Sequence, residues 1–245
     1  MKNFKIILEY DGTRYNGWQK QGNTKNTIEY KFTEILKKMT GKNAEIFASG
    51  RTDSGVHAKG QVANFKIETE MSADEVLTYI NTYLPEDIRV LSCTEADERF
   101  HSRLNAKKKT YIYRIHQGKP PVFDRKYVFC TDFSLDINAM KKASQHFLGK
   151  HDFKSFCTKQ KMKKSTVREI FSLDIVEKGA EIDIIITGNG FLYNMVRIIS
   201  GTLLAVGKGE LSYDAIPEII NAQNREKAGE TLPPNGLCLI SVEYS

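Results

Sequence analysis

Phe4, Ile6, Leu8 and Tyr10 recur at every second position, the period of a strand with one buried face. The period then lengthens. Ile28, Phe32, Ile35, Leu36 and Met39 form one helical stripe, which Asn26 is placed to cap with Glu29 reaching back, and Gly41 stops it. Residues 45–48 form a short strand, and residues 61–67 a longer one with Ala63, Phe65 and Ile67 on one side. Ser72-x-x-Glu75 is a capping box that opens a helix through Val76, Leu77, Ile80 and Tyr83, ended by Pro85. Residues 88–91 close this half. The order is β-α-β-β-α-β, the split βαβ arrangement of ferredoxin-like domains.

The second half repeats the grammar without a visible sequence repeat. A strand over residues 110–115 carries Tyr111, Tyr113 and Ile115 on one face. Asp136 caps a helix bearing Ile137, Met140, Phe147 and Leu148, which stops at Gly149. Residues 167–176 and 181–187 form a hairpin turning at Lys178-Gly179. A helix over 194–206, a shorter one over 213–221 and a strand over 237–244 complete the chain. The pattern predicts an α+β protein of two ferredoxin-like halves, residues 1–106 and 107–245. Each has a mostly antiparallel sheet, helices on one face and the other face free for a ligand.

Composition adds a direction. The 245 residues carry 36 Lys+Arg against 30 Asp+Glu, a net charge of +6 spread unevenly. Residues 99–126 hold nine Lys/Arg and one acid, and residues 150–168 hold seven and one, so the rest of the chain is acidic. A positive surface on an acidic body suits a polyanion such as nucleic acid. The same lysines also suit solvated loops kept for solubility. No run of residues has the length and apolarity of a membrane helix, and Met1–Lys5 leads into alternating residues, not the apolar stretch of a signal peptide. Cys93, Cys130, Cys157 and Cys238 are scattered, with no C-x-x-C pair. That spacing offers no zinc site and a poor disulfide framework, so a reducing cytoplasm is expected.

The loop Gly50-Arg51-Thr52-Asp53-Ser54-Gly55-Val56-His57 is the leading candidate for chemistry. Its glycines permit positive φ and close approach of a partner. Arg51, two residues away, would keep the Asp53 carboxylate ionised if the two touch. Such a carboxylate serves as nucleophile, base or metal ligand, although on spacing alone an Asx turn is its commoner use. Ser54 and His57 lack the nucleophile elbow of a hydrolase, and Asp53 with His57 is too small a ligand set for a metal. Tyr111 and Tyr113 follow Lys107, Lys108 and Lys109, the pairing of aromatic and cation that stacks a splayed-out base, or simply a strand packed with tyrosine. Arg197 lies among Met195, Val196, Ile198 and Ile199, where a buried guanidinium needs a partner. Gly188-Asn189-Gly190 has the look of a phosphate turn without the P-loop lysine.

At these residues the chain resembles the TruA family of tRNA pseudouridine synthases. The resemblance is carried by Tyr10-Asp11-Gly12-Thr13 with Gly17-Trp18-Gln19, by residues 50–58, and by Phe100-His101-Ser102-Arg103. It continues through Lys109–Tyr113, His151-Asp152-Phe153, Gly190–Arg197 and Ala228–Leu237, in order along nearly the whole chain. It implies isomerisation of uridine to pseudouridine at positions 38, 39 and 40 of the tRNA anticodon stem-loop, in an RNA-binding cleft and without cofactor or metal. It also implies a homodimer whose two subunits both touch each tRNA. Asp53 matches the family's nucleophile, Tyr111 the tyrosine that stacks on the target base, Arg51 the arginine that holds the nucleotide out of the helix, and Arg197 the partner of the aspartate.

The basic stretches, Lys107–Lys109 and Lys161, Lys163 and Lys164, are then expected along phosphates. The chain departs from the family at Ser54, where alanine is common, at Thr27–Tyr30, and in the lysine-rich residues 159–164. That last loop also admits the same chemistry on another RNA. A catalytically silent RNA-binding protein would have no need of Asp53.

Overall fold

The computed structural model describes residues 1–158 and 165–244; the lysine-rich residues 159–164, with Lys161, Lys163 and Lys164, lie outside them. The chain forms two compact units, Met1–Lys107 with Leu239–Ser245, and Lys108–Cys238.

In the first unit the strands are β1 (Lys2–Tyr10), β2 (Ile46–Ala48), β3 (His57–Ile67) and β4 (Ile88–Ala96), with helices α1 (Ile28–Thr40) and α2 (Ala73–Tyr83). The order is β4-β1-β3, with β2 on the far side of β3 and all pairs antiparallel, which is the ferredoxin-like arrangement. Alternation along β1 does what its period predicts. Phe4, Ile6 and Leu8 are fully buried and face Phe65, Ala63 and Gln61 across the ladder. Helices α1 and α2 touch each other and pack on β2 and β4, so both cover this one face.

The other face carries Asn3, Lys5 and Asn64, and the segment after β4 is tied to it. Asn3 Nδ2 donates to the carbonyls of Asp97 and Phe100, Asn64 Nδ2 donates to Asn3 Oδ1, and Asn64 Oδ1 accepts from Ser102 N. The last strand, β10 (Leu237–Glu243), joins this unit from Leu239 onward. Gly60 permits it: a Cβ there would lie 2.2 Å from the Ile240 carbonyl oxygen. Lys107 N and the Tyr244 hydroxyl then bond to the carbonyls of Glu243 and Ser102 at 2.8 Å each. The end of the chain therefore packs with the first unit, whereas the pattern divided the chain once, at residues 106 and 107.

Several boundaries differ from the pattern, most clearly at two helices. The cap of α1 is Thr27, whose hydroxyl accepts from Tyr30 N at 3.3 Å, while Asn26 donates to the Arg14 carbonyl and Glu29 accepts from Lys20 N at 2.6 Å. In the second unit α3 (Ile137–Gln145) ends before Phe147, although Asp136 caps it as expected. Phe147 is buried outside the helix, and Gly149, at φ +87, opens an added strand, β7 (Gly149–Asp152).

That unit is built on β5 (Lys108–Gln117), β6 (Phe129–Thr131), β8 (Val167–Lys178) and β9 (Glu181–Gly188), in the order β5-β9-β8-β7, antiparallel throughout, with β6 parallel to β5. Helices α4 (Met195–Gly207) and α3 pack on each other and on β5 and β8 respectively. A short α5 (Ile216–Ala222) follows one turn of 3-10 helix. Among the described residues no helix is long and apolar enough to cross a membrane.

The capping box on α2 is complete, with Ser72 Oγ accepting from Glu75 N and the Glu75 carboxylate accepting from Ser72 N at 2.8 Å. Ser72→Ala is therefore expected to lower the stability of the first unit by about 1 kcal/mol, read from the midpoint of chemical denaturation.

Candidate active site

Residues 50–56 connect β2 to β3 and rest on the chain that leaves β1. Trp18 N donates to the Thr52 carbonyl at 3.0 Å, and Gly55 N to the Tyr15 carbonyl at 3.2 Å. Ser54 Oγ donates to the same Tyr15 carbonyl at 3.1 Å. These bonds need backbones in contact, and two glycines allow it. A Cβ on Gly12 would sit 2.0 Å from the Val56 carbonyl oxygen, and one on Gly17, at φ +89, 2.7 Å from that of Thr52. Trp18, 2% exposed, stacks on Phe32 of α1 with centroids 6.4 Å apart and lies 6.3 Å from the Tyr10 ring, so the cradle is fixed to the core. Tyr15 donates its hydroxyl to Asp87 Oδ1 at 2.5 Å, and burial, with that bond, holds its pKa above the usual tyrosine range.

Burial alternates along the loop. Thr52 is buried, while Arg51 is exposed and Asp53 half-buried. Beneath it lies a buried polar group: Tyr10 and Thr52 share a hydroxyl–hydroxyl bond of 2.7 Å, and Gln61 donates to the Gly50 carbonyl at 2.9 Å. Arg51 is thereby left facing solvent, two residues before Asp53. His57 and Ser54 are part of the scaffold. His57 Nδ1 accepts from Gly12 N at 3.1 Å and lies 3.2 Å from Asp11 Oδ1, so the buried ring packs against the turn that leaves β1.

Tyr111 and Arg197 stand in the second unit. Tyr111, 8% exposed on β5, meets Phe191 edge-on with centroids 5.2 Å apart. Tyr113 shares its face but is core: it is fully buried and donates to the Pro233 carbonyl at 2.8 Å, and burial raises its pKa. Tyr113 therefore takes the packing use that the sequence left open for either tyrosine.

Arg197, in the first turn of α4, is half-buried and held at two atoms. Nε donates to the Leu232 carbonyl at 2.6 Å, and Nη1 to Asn194 Oδ1 at 2.9 Å. Asn194 sits at φ +63 as the N-cap. Leu232 is brought there by glycines. A Cβ on Gly201 would lie 2.0 Å from the Glu230 carbonyl oxygen, and one on Gly229 2.5 Å from Thr202 N, so residues 228–234 run directly against α4.

The lysine run divides by position. Lys109 alternates onto the Tyr111 face of β5, while Lys108 falls on the other face, its ammonium 5.7 Å from the Phe171 centroid. Lys107 is exposed and belongs to the first unit. The Gly188-Asn189-Gly190 turn is not a phosphate cradle. Asn189 N donates to the Glu169 carbonyl at 3.0 Å and its side chain accepts from Glu169 N, so the turn spends its polar groups on β8. Among the described residues no group of three His, Cys, Asp or Glu is placed to hold a metal. Periodicity and charge assign no site role to Tyr10, Tyr15, Gln61 or the cradle glycines, although Tyr10, Gly12 and Gly17 stand in the blocks that carry the family resemblance.

The family model for tRNA pseudouridine synthase matches residues 6–105 and 143–245. The chain is similar over all 245 residues, covering 100% of both sequences, to tRNA pseudouridine synthase A 2 of Clostridium perfringens at 46% identity. It is similar over the same span to tRNA pseudouridine synthase A of Caldicellulosiruptor bescii at 45% and to tRNA pseudouridine synthase A 2 of Bacillus anthracis at 42%.

Gly17→Ala places a Cβ against the Thr52 carbonyl at a positive φ. It is expected to cost about 1–3 kcal/mol of stability and to speed amide exchange at Trp18 and Gly55, measured by denaturation and hydrogen exchange.

Proposed function

The chain belongs to the tRNA pseudouridine synthase family, isomerases that act on tRNA, and from that premise we propose that it converts uridine to pseudouridine at positions 38, 39 and 40 of the anticodon stem-loop, with Asp53 as nucleophile. The observation that supports this reading is the presentation of Asp53 on a loop whose backbone is pinned from below while its flanking residue Arg51 faces solvent. A uridine inside a stem must leave its stack before a side chain reaches it. Arg51, exposed to solvent, suits the work of holding the displaced nucleotide out of the helix. Tyr111, with its ring braced edge-on by Phe191, suits stacking on the target base.

Asp53 attacks the sugar–uracil system and the bond from the sugar to the uracil nitrogen breaks; the freed base turns and its carbon bonds to the sugar, the Asp53 carboxylate is released, and the proton lost from that carbon is balanced by one gained at the freed nitrogen. The product has the atoms of the substrate, so no redox partner enters the balance; positioning and charge carry the step. Arg197 supplies the positive charge that keeps the aspartate ionised, with its guanidinium already oriented by Leu232 and Asn194. Lys107, Lys108, Lys109, Lys161, Lys163 and Lys164 set the register on the RNA through phosphates. The same reading takes the enzyme to act in the cytoplasm as a homodimer, each tRNA touching both subunits.

Primer extension after carbodiimide treatment, on transcripts with uridine at 38, 39 or 40, tests substrate, product and nucleophile together. Stops at these positions are expected with wild type and none with Asp53→Ala, which keeps its tRNA affinity. An active Asp53→Ala variant overturns the mechanism, and a folded wild type that binds tRNA without producing stops moves the target to another RNA or removes the activity. Neutralising Lys161, Lys163 and Lys164 together is expected to weaken binding and flatten its salt dependence, by roughly 0.7–0.9 in log–log slope for each phosphate no longer neutralised.

A further inference from the structure

Gln61 is fully buried on β3, and all of its side-chain hydrogen-bonding capacity is in use. Nε2 donates to the Gly50 carbonyl at 2.9 Å and to the Tyr10 hydroxyl oxygen at 3.4 Å. Oε1 accepts from Ser49 Oγ at 2.7 Å and from Val62 N at 3.2 Å. The amide has one workable orientation, because the flipped form would set its NH2 against the Val62 N–H and its oxygen against the Gly50 carbonyl. Tyr10, at 4% exposure, extends the group to the Thr52 hydroxyl, 2.7 Å away and 6% exposed.

We propose that Gln61, Tyr10 and the Thr52 hydroxyl are positioning residues for the reaction: a buried polar chain that draws Thr52 inward and so turns Arg51 and Asp53 outward in a fixed register. The proposal rests on the reading of Asp53 as nucleophile. It assigns a function to three side chains that touch neither substrate nor reacting atoms. The chain grips the loop at the Gly50 carbonyl and at the Thr52 side chain, one residue to either side of Arg51. Beyond Asp53 the loop is gripped again where Ser54 Oγ and Gly55 N meet the Tyr15 carbonyl.

A carboxylate anchored on both flanks loses little freedom when a flipped uridine arrives, and freedom removed in advance is a direct contribution to rate. Apolar packing would fill the same space without fixing direction, whereas a fully satisfied buried network specifies one arrangement.

The test uses the full chain with a tRNA transcript and measures the single-turnover rate at saturating enzyme, the tRNA Kd and the thermal midpoint. Thr52→Val keeps the shape and removes the hydroxyl; Thr52→Ser keeps the hydroxyl and removes a methyl; Tyr10→Phe removes a single oxygen. Thr52→Val and Tyr10→Phe are expected to lose about tenfold or more in rate with tRNA Kd within about twofold, while Thr52→Ser stays within about threefold of wild type in both. Equal losses in Thr52→Ser and Thr52→Val make the site one of packing and overturn the proposal, as do losses in rate matched by losses in Kd. Should Thr52→Val not fold, Tyr10→Phe decides alone. Wild-type rates in Tyr10→Phe and Thr52→Val beside an inactive Asp53→Ala reject the positioning role and leave the nucleophile standing, whereas an active Asp53→Ala rejects the nucleophile itself.

Discussion

The first unit is organised around backbone lying on backbone where the chain leaves β1. A loop that is to carry a reactive group at the surface cannot bury much apolar area of its own, so its position has to come from hydrogen bonds to something rigid. Here the rigid body is the segment from Asp11 to Trp18, itself fastened by Trp18 to α1 and by Tyr15 to Asp87. Close approach is possible because Gly12 and Gly17 carry no Cβ. Tyr10, Asp11, Gly12, Gly17 and Trp18 thus form a seat for residues 50–56, and their spacing along the sequence is the spacing of that seat.

The second unit applies the same device to a cation. Arg197 is oriented by the Leu232 carbonyl and the Asn194 side chain, and Leu232 reaches it because Gly201 and Gly229 let residues 228–234 lie against α4. A guanidinium on a helix among apolar neighbours is costly to bury without acceptors. The structure supplies acceptors on two of its nitrogens. A guanidinium fixed in this way keeps one orientation, because turning it would break both bonds.

Sequence reading recovers the parts of this architecture that depend on local rules. Strand β1, the hairpin at Gly179, the capping box at Ser72 and the caps at Asp136 and Gly41 follow from period and cap chemistry, and the structure has them all. It misplaces elements where tertiary contacts compete. Asn26 has the composition of a cap, but its amide is taken by the Arg14 carbonyl and the duty passes to Thr27. Phe147 continues the stripe of α3 in sequence, yet it packs against Phe156, with centroids 5.2 Å apart, after the helix has ended. At the candidate site the loop and Arg197 are legible from residue type, whereas the roles of Gln61 and Tyr10 are not. A glutamine in a strand reads as polar surface until the ladder shows it facing the core opposite Leu8.

Tyr111 and Tyr113 show why residue type and face alone do not settle function. They share one face of one strand, two residues apart, and both are largely removed from solvent. Gly236 separates them. A Cβ there would lie 2.9 Å from the Tyr113 ring and 2.8 Å from the Arg114 carbonyl oxygen, so residues 233–236 close over Tyr113 and take its hydroxyl through the Pro233 carbonyl. Tyr111 lies nearer the β5 end at which Lys109 shares its face, with its ring edge-on to Phe191. The difference is set by where a distant glycine allows the chain to descend. One tyrosine is closed off by a turn from far along the chain, and the other stays toward the end of the strand that Lys109 shares.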